Sequence, residues 1–337
     1  MSRFLLVALL VLTLALRIYS NGGIKEESSD PELENIGAYF ENFRNYFSER
    51  SEYLLPQPQA ALLSGMVLGI KEDLPWNFSQ ALRKTSTIHI VVVSGQNLTM
   101  LAGMLLGFSS LIGRKKAIML ALITVFIYTL LSGIQIPVIR AFIMFFFASL
   151  ASFFDREDES IWILILTGLL MLIYEPNWLL SISFQLSFLA TVGVVVVAPE
   201  IVKIFKKVPD ILREDFAVSL AAQALVWPII AINFNQASLY GVLTNTLILW
   251  TVPLIMISGL IVLILSFILF PLAQILAQIP GILLTYFVAV VELSNKLGGS
   301  IYVYPQNVFI WLGYYILVFS IFLSVKKYNQ VDKSGNS

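Results

Sequence analysis

The chain has 337 residues, 58% of them hydrophobic and 12% charged, against about 25% charge in an average soluble domain, which excludes an ordinary water-soluble globule. Lys plus Arg and Asp plus Glu both number 21, so there is no overall basic excess of the kind that marks soluble nucleic-acid binders. With no cysteine and one histidine, the sequence excludes disulfides, cysteine nucleophiles, thiolate metal sites and a zinc site built on several histidines of this chain; it carries no Walker-type loop and implies no cofactor.

Residues 4–16 form a short apolar run between Arg3 and Arg17. A signal peptide and an uncleaved signal anchor both fit. The lack of a small-x-small cleavage pattern near Ser20 favours the anchor over residues 1–20. Residues 21–58 are the one long polar stretch, expected as an external helical segment. Asp30 and Pro31 suit a helix start. Beyond them Ile36, Tyr39, Phe40, Phe43, Tyr46 and Phe47 fall at helical spacing on one face, which predicts an amphipathic helix packed on the membrane domain or the lipid interface. The apolar run at 56–69 is too short to cross a bilayer and predicts a re-entrant or interfacial element.

Apolar runs then recur at 88–112, 117–135, 138–154, 160–175, 183–199, 216–234, 242–268, 273–295 and 308–325. With the first anchor they predict an all-α integral membrane protein, a polytopic bundle of about ten spans. Pro137, Pro228 and Pro253, within or beside spans, add the expectation of broken helices lining a cavity. Residues 59–325 are expected to be the polytopic membrane domain and 326–337 a tail. The cations Arg114, Lys115, Lys116, Arg156, Lys203, Lys206, Lys207, Arg213, Lys326 and Lys327 fall on one side of this arrangement. The positive-inside rule makes that side cytoplasmic, with both termini inside if the first segment is uncleaved. The expected location is the cell membrane, in contact with lipid.

A mid-helix charge costs about 2.5 to 3.5 kcal/mol on insertion scales, so polar residues inside spans mark packing or function. His89, Arg140 and Glu175 are placed at the outer ends of spans. Gln185, Ser187, Asn245 and Glu292 lie in the same outer half. The pattern predicts an outward-facing polar vestibule above an apolar inner half. Arg140, the cation placed inside a span, would attract an anionic substrate; it would equally serve architecture by pairing with Glu175 or snorkelling to headgroups. Gln185 and Asn245 also suit interhelical hydrogen bonding.

The segment HIVVVSGQN at 89–97 gathers polar residues into an apolar run. A Ser94 nucleophile with a His89 base is disfavoured, because five helical residues rotate the chain by about 140° and carry the two side chains apart. Gly95 between Ser94 and Gln96 is expected to interrupt the helix and expose backbone groups, or else to permit a close helix crossing.

HIVVVSGQN resembles the signature of ComEC-type competence proteins, with Asn97 standing where that pattern has a second His. PVIRAFIM at 137–144 resembles the family's Arg-Ala-x-x-Met segment, and SFQLSFLATVG at 183–193 its Phe-Gln-Leu-Ser-Phe element. LPQPQAALLSGMVLGIKEDLP at 55–75 is similar to the stretch before the signature, and Pro228, Ser238, Asn245 and Pro253 follow the later punctuation. The resemblance implies the competence membrane domain alone, without the OB-like and metallo-β-lactamase-like domains of longer members.

It further implies a non-enzymatic channel that passes single-stranded DNA into the cytoplasm during natural transformation. The expected path residues are His89, Ser94, Gly95, Gln96, Asn97, Arg140, Gln185, Ser187 and Asn245. The implied partners are single-stranded DNA and a separate DNA receptor, nuclease and cytoplasmic helicase or strand-binding proteins. The rival expectation is a transporter of a small anionic solute using the same vestibule.

Overall fold

A computed structural model describes residues 3–20, 40–70, 73–91, 94–132, 135–156, 159–205, 209–238, 240–298, 300–303 and 308–335. Within them the chain is helical apart from one short antiparallel ladder. The helix start expected at Asp30 and Pro31, with Ile36 and Tyr39, lies outside the described residues, as do Lys206 and Lys207.

Six helices are long and apolar enough to cross a membrane: Ile136–Phe153, Ile182–Ile204, Leu212–Phe234, Thr251–Ile268, Gln278–Lys296 and Phe309–Gln330. Leu6–Ser20, Gln59–Leu68, Asn97–Gly107 and Ser160–Tyr174 are apolar but shorter. Arg114–Leu131 has the length, yet its first turn is Arg114, Lys115 and Lys116. The expectation of about ten spans therefore stands at six clear ones among the described residues. The span expected at 88–112 is broken into helices Ile88–Val91, Gly95–Gly107 and Ser109–Ile112. On Phe309–Gln330 the residues Phe309, Leu312, Ile316, Phe319 and Leu323 are all exposed. An apolar surface of that extent is at home in hydrocarbon. The protein is a multi-pass membrane protein.

The stretch 59–325 contributes to two compact units interleaved in sequence. The first comprises 1–73, 90–185 and 255–281; the second comprises 74–89, 186–254 and 282–337.

In the first unit, helix α1 (Arg3–Ser20) lies along α10 (Ser160–Tyr174), and the Arg17 guanidinium donates to the Tyr174 carbonyl at 2.9 Å. The amphipathic segment forms α2 (Glu41–Leu54). Of its aromatic face Phe47 is buried while Phe43 and Tyr46 stay exposed, with the Phe47 ring 4.6 Å and the Tyr46 ring 5.2 Å from Phe267. Helix α3 (Gln59–Leu68) is buried along its whole length. At ten residues it is about 15 Å long, half a bilayer core, and it is apolar on every side, so it needs protein all round it. Gly69 ends it with φ +79°, a left-handed C-cap that glycine adopts without a Cβ penalty. A hydroxyl cluster joins it to α2, and the Ser51 hydroxyl also reaches the Ala60 carbonyl at 3.3 Å. Ser51 Oγ lies 2.8 Å from Ser64 Oγ, and Ser48 Oγ donates to the Asp73 carboxylate at 2.6 Å.

Helix α4 (Trp76–Lys84) and α5 (Ile88–Val91) precede the broken segment, which resumes as α6 (Gly95–Gly107) and the single turn α7 (Ser109–Ile112). Helix α6 packs on α8 (Arg114–Leu131) and α9 (Ile136–Phe153). The Tyr128 hydroxyl of α8 donates to the Met66 carbonyl of α3 at 3.0 Å.

In the second unit, α11 (Ile182–Ile204) contains a π-helical turn at Gly193–Val197. There it meets α12 (Asp210–Phe234) at a small-residue crossing, with Ala198, Ala217 and Ala221 as core. A Cβ on Gly193 would stand 2.6 Å from the Ala221 carbonyl oxygen, so only glycine permits this approach.

Strands β1 (Gln236–Ser238) and β2 (Ser300–Tyr302) pair antiparallel, Gln236 facing Tyr302 and Ser238 facing Ser300. Between them run α13 (Gly241–Leu249), α14 (Thr251–Ile268), α15 (Phe270–Leu276) and α16 (Gln278–Lys296), and α17 (Val308–Gly335) closes the chain. Pro228 inside α12 has no N–H and frees the carbonyls of the preceding turn. Helix α17 answers them: the Tyr314 hydroxyl donates to the Ala224 carbonyl at 2.9 Å and Tyr315 to that of Leu225 at 3.0 Å. The Trp227 ring packs against Tyr314 at a tilt, centroids 5.3 Å apart.

Candidate functional site

Ser94 is extended, with φ −123° and ψ 162°, and is the N-cap of α6. Its Oγ accepts the Asn97 N–H at 3.4 Å and donates to Asn97 Oδ1 at 3.2 Å. This reciprocal contact starts the helix at Gly95 and satisfies one of the amides that a helix beginning inside the protein leaves without an intrahelical acceptor. Asn97 is 1% exposed, and its side-chain amide lies beside the Tyr128 hydroxyl. The Thr99 hydroxyl donates back to the Gly95 carbonyl at 2.8 Å. Gln96 lies in the first turn of α6.

Arg140 sits in the second turn of α9, after Pro137 has set the start of that helix. It is buried, 9% exposed, and its Nη1 lies 3.4 Å from Met144 Sδ one turn on. A Cβ on Gly95 would stand 2.6 Å from Arg140 Nη2, 2.9 Å from Ala141 Cβ and 3.3 Å from the Pro137 carbonyl oxygen. The guanidinium therefore lies directly against the glycine that opens α6. Four polar or small residues, Ser94, Gly95, Asn97 and Arg140, thus converge in the first unit around a helix break and a buried cation. The break and the close crossing expected at Gly95 occur together: the missing side chain is the space that Arg140 occupies.

The other expected path residues are distributed as follows. Gln185, in the first unit, donates from Nε2 to the Leu179 carbonyl at 3.0 Å. His89, Ser187 and Asn245 belong to the second unit. The His89 side chain is exposed, at the end of the α4–α5 segment. Ser187 is buried, and its carbonyl accepts from the Thr191 hydroxyl at 2.8 Å. Asn245 is 5% exposed on α13, with Oδ1 lacking a hydrogen-bond partner.

Glu175 turns its carboxylate to the Asn177 N–H at 3.1 Å, capping the 3₁₀ turn Pro176–Leu180. Among the described residues it forms no ion pair with Arg140. Ala141 and Met144, the Ala and Met of the Arg-Ala-x-x-Met segment, are site neighbours of Gly95 and Arg140 respectively.

The Competence protein family model matches residues 66–328, more than three quarters of the chain. The chain belongs to the Competence protein family. The match is to the ComEC type, and it takes in the α6 break, Arg140 and the second unit's Asn245. ComE operon protein 3 of Bacillus subtilis is 25% identical over 232 residues, covering 68% of this chain and 29% of that protein. An Aquifex aeolicus protein described as uncharacterized is 31% identical over 183 residues, covering 54% of this chain and 42% of its own length. This competence-family chain therefore spans less than half the length of either relative. No solved structure matches it.

Proposed function

We infer that the protein is a membrane channel that passes single-stranded DNA into the cytoplasm during natural transformation. The observation that carries the reading, within a chain of the Competence family, is the buried Arg140 guanidinium set against the helix break at Ser94 and Gly95. A strand brings a phosphate at every nucleotide, and desolvating those charges beside apolar walls is costly without a cation. A single guanidinium lowers that cost without trapping the chain, because successive phosphates exchange across it. The polar groups of Ser94 and Asn97 at the start of α6 supply hydrogen-bonding capacity in the same place.

Gln96 and Gln185 are assigned to this path in the first unit, and His89, Ser187 and Asn245 as path residues of the second. The cation-rich loops are cytoplasmic, both termini lie inside, and the membrane is that of the cell. Receptor, nuclease and the helicase or strand-binding proteins that draw the strand inward are separate partners. The test is uptake of labelled DNA in a clean deletion strain, scoring duplex held outside separately from strand in the cytoplasm. Loss of the cytoplasmic strand with retained surface duplex is expected. Normal cytoplasmic uptake without the protein would overturn the reading.

A further inference from the structure

In the second unit, a polar cavity of about 100 Å³ lies where the carboxyl ends of α4 and α16 meet β1 and the loop after it. Lys84 contributes an ammonium, Ser238, Tyr240 and Ser294 contribute hydroxyls, and Asn295 contributes an amide. Gly298, with φ +72°, and Thr85 complete the wall. Among the described residues that line it there is no carboxylate and no aliphatic residue. In a chain that is 58% hydrophobic this concentration of donors calls for a ligand.

The donors are also unspent. Ser238 Oγ is buried without a hydrogen-bond partner. Among the described residues, no hydrogen bond or ion pair engages the side chains of Lys84, Tyr240, Ser294 or Asn295. Thr85 differs, since its hydroxyl is held by the Ala81 carbonyl at 2.8 Å. The ladder fixes the frame: Ser238 pairs with Ser300, and the Ser238 carbonyl accepts from Gln223 Nε2 at 3.1 Å.

The two helices arrive carboxyl end first, so their dipoles alone disfavour an anion. Arg83 and Lys84 in the last turn of α4 and Lys296 in that of α16 reverse the balance, with the acid Glu292 one turn earlier on α16. A cation would meet the Lys84 charge with no carboxylate to hold it. A tetrahedral oxyanion fits better, because its oxygens accept from ammonium, hydroxyl and amide donors in different directions at once.

We propose that this cavity receives a backbone phosphate of the entering DNA strand; the assignment rests on the channel function inferred above. The loops that form it, after α12 and after α16, are those that the positive-inside pattern places on the outer face. The cavity would therefore meet the strand before it is threaded and hold it through one phosphate at a time, independent of base.

The test uses the intact protein in nanodiscs of zwitterionic lipid, a labelled oligothymidylate, inorganic phosphate and acetate. Lys84→Gln should weaken oligonucleotide binding about tenfold at low salt and make the log–log salt slope shallower by about 0.7, the value of one phosphate contact on a single strand. Lys84→Arg should restore most of both, and Ser238→Ala should weaken binding without changing the slope. Phosphate should displace the oligonucleotide from the wild type at concentrations where acetate does not. Equal affinity and equal slope for Lys84→Gln and wild type would overturn the proposal, and monodisperse elution of each variant separates this from misfolding.

If the wild type binds no oligonucleotide, the strand assignment also falls. Thermal protection of wild type but not Lys84→Gln by phosphate would then leave a site for the free ion. The channel reading fails separately, through normal DNA uptake in the deletion strain.

Discussion

A methyl group on Gly95 would stand 2.6 Å from the Nη2 of Arg140. That distance ties the conformation of one helix start to the position of one charge. The first prediction follows. Gly95→Ala should lower uptake sharply by pushing the guanidinium aside, and Gly95→Leu should abolish it. In an Arg140→Met background the added cost of Gly95→Ala should shrink, with a coupling of about 1 to 2 kcal/mol, as expected for residues in contact. The check is a double-mutant cycle on thermal unfolding of the purified protein, with uptake per folded molecule alongside. Additive effects would place the guanidinium elsewhere.

Arg140 and Glu175 are expected to behave independently. The Glu175 carboxylate caps the turn at Asn177, a bond that a glutamine oxygen also accepts. Glu175→Gln should therefore leave abundance and uptake near wild type, while Arg140→Gln severely reduces strand import and Arg140→Lys retains a detectable fraction. Combining Arg140→Gln with Glu175→Gln should not restore uptake. Full recovery in the double mutant would assign Arg140 to architecture as half of an ion pair.

Tyr314→Phe should destabilise the second unit by about 1 to 3 kcal/mol, because the Ala224 carbonyl loses the hydroxyl that replaces the N–H missing at Pro228. In a Pro228→Ala background, where the helix regains its own donor, the same substitution should cost less. Thermal unfolding in detergent measures both. An equal cost in the two backgrounds would show that the hydroxyl acts through packing against Trp227 instead.

Reporter fusions after Lys116, Lys207 and Lys327 should read cytoplasmic, and one at Asn177 external. The cation distribution sets this expectation. A cytoplasmic signal at Asn177 would invert the orientation and move the Lys84 cavity to the inner face.

Composition and apolar run length were enough to place the chain in a bilayer, because hydrocarbon admits few charges and a span needs a minimum length. The spacing HIVVVSGQN together with PVIRAFIM and SFQLSFLATVG was enough to indicate the family, which the match over 66–328 establishes. Run length predicts about ten spans, of which six stand as helices long enough to cross a membrane among the described residues; hydropathy counts residues without seeing where the backbone breaks. Ser94 caps a new helix inside a single apolar run, and the short apolar run expected as a re-entrant or interfacial element forms the helix Gln59–Leu68, buried in protein.

Pairing Arg140 with Glu175 follows from depth alone, and depth is all that a linear sequence supplies. The actual neighbours of each are set by side-chain direction and helix approach. The contact of Gly95 with Arg140, the replacement of the Pro228 N–H by Tyr314, 86 residues away in sequence, and the gathering of Lys84, Ser238 and Asn295 around one cavity are decided by tertiary structure. Each depends on which helices approach closely enough to touch, and that is a property of packing between distant segments that no local pattern encodes.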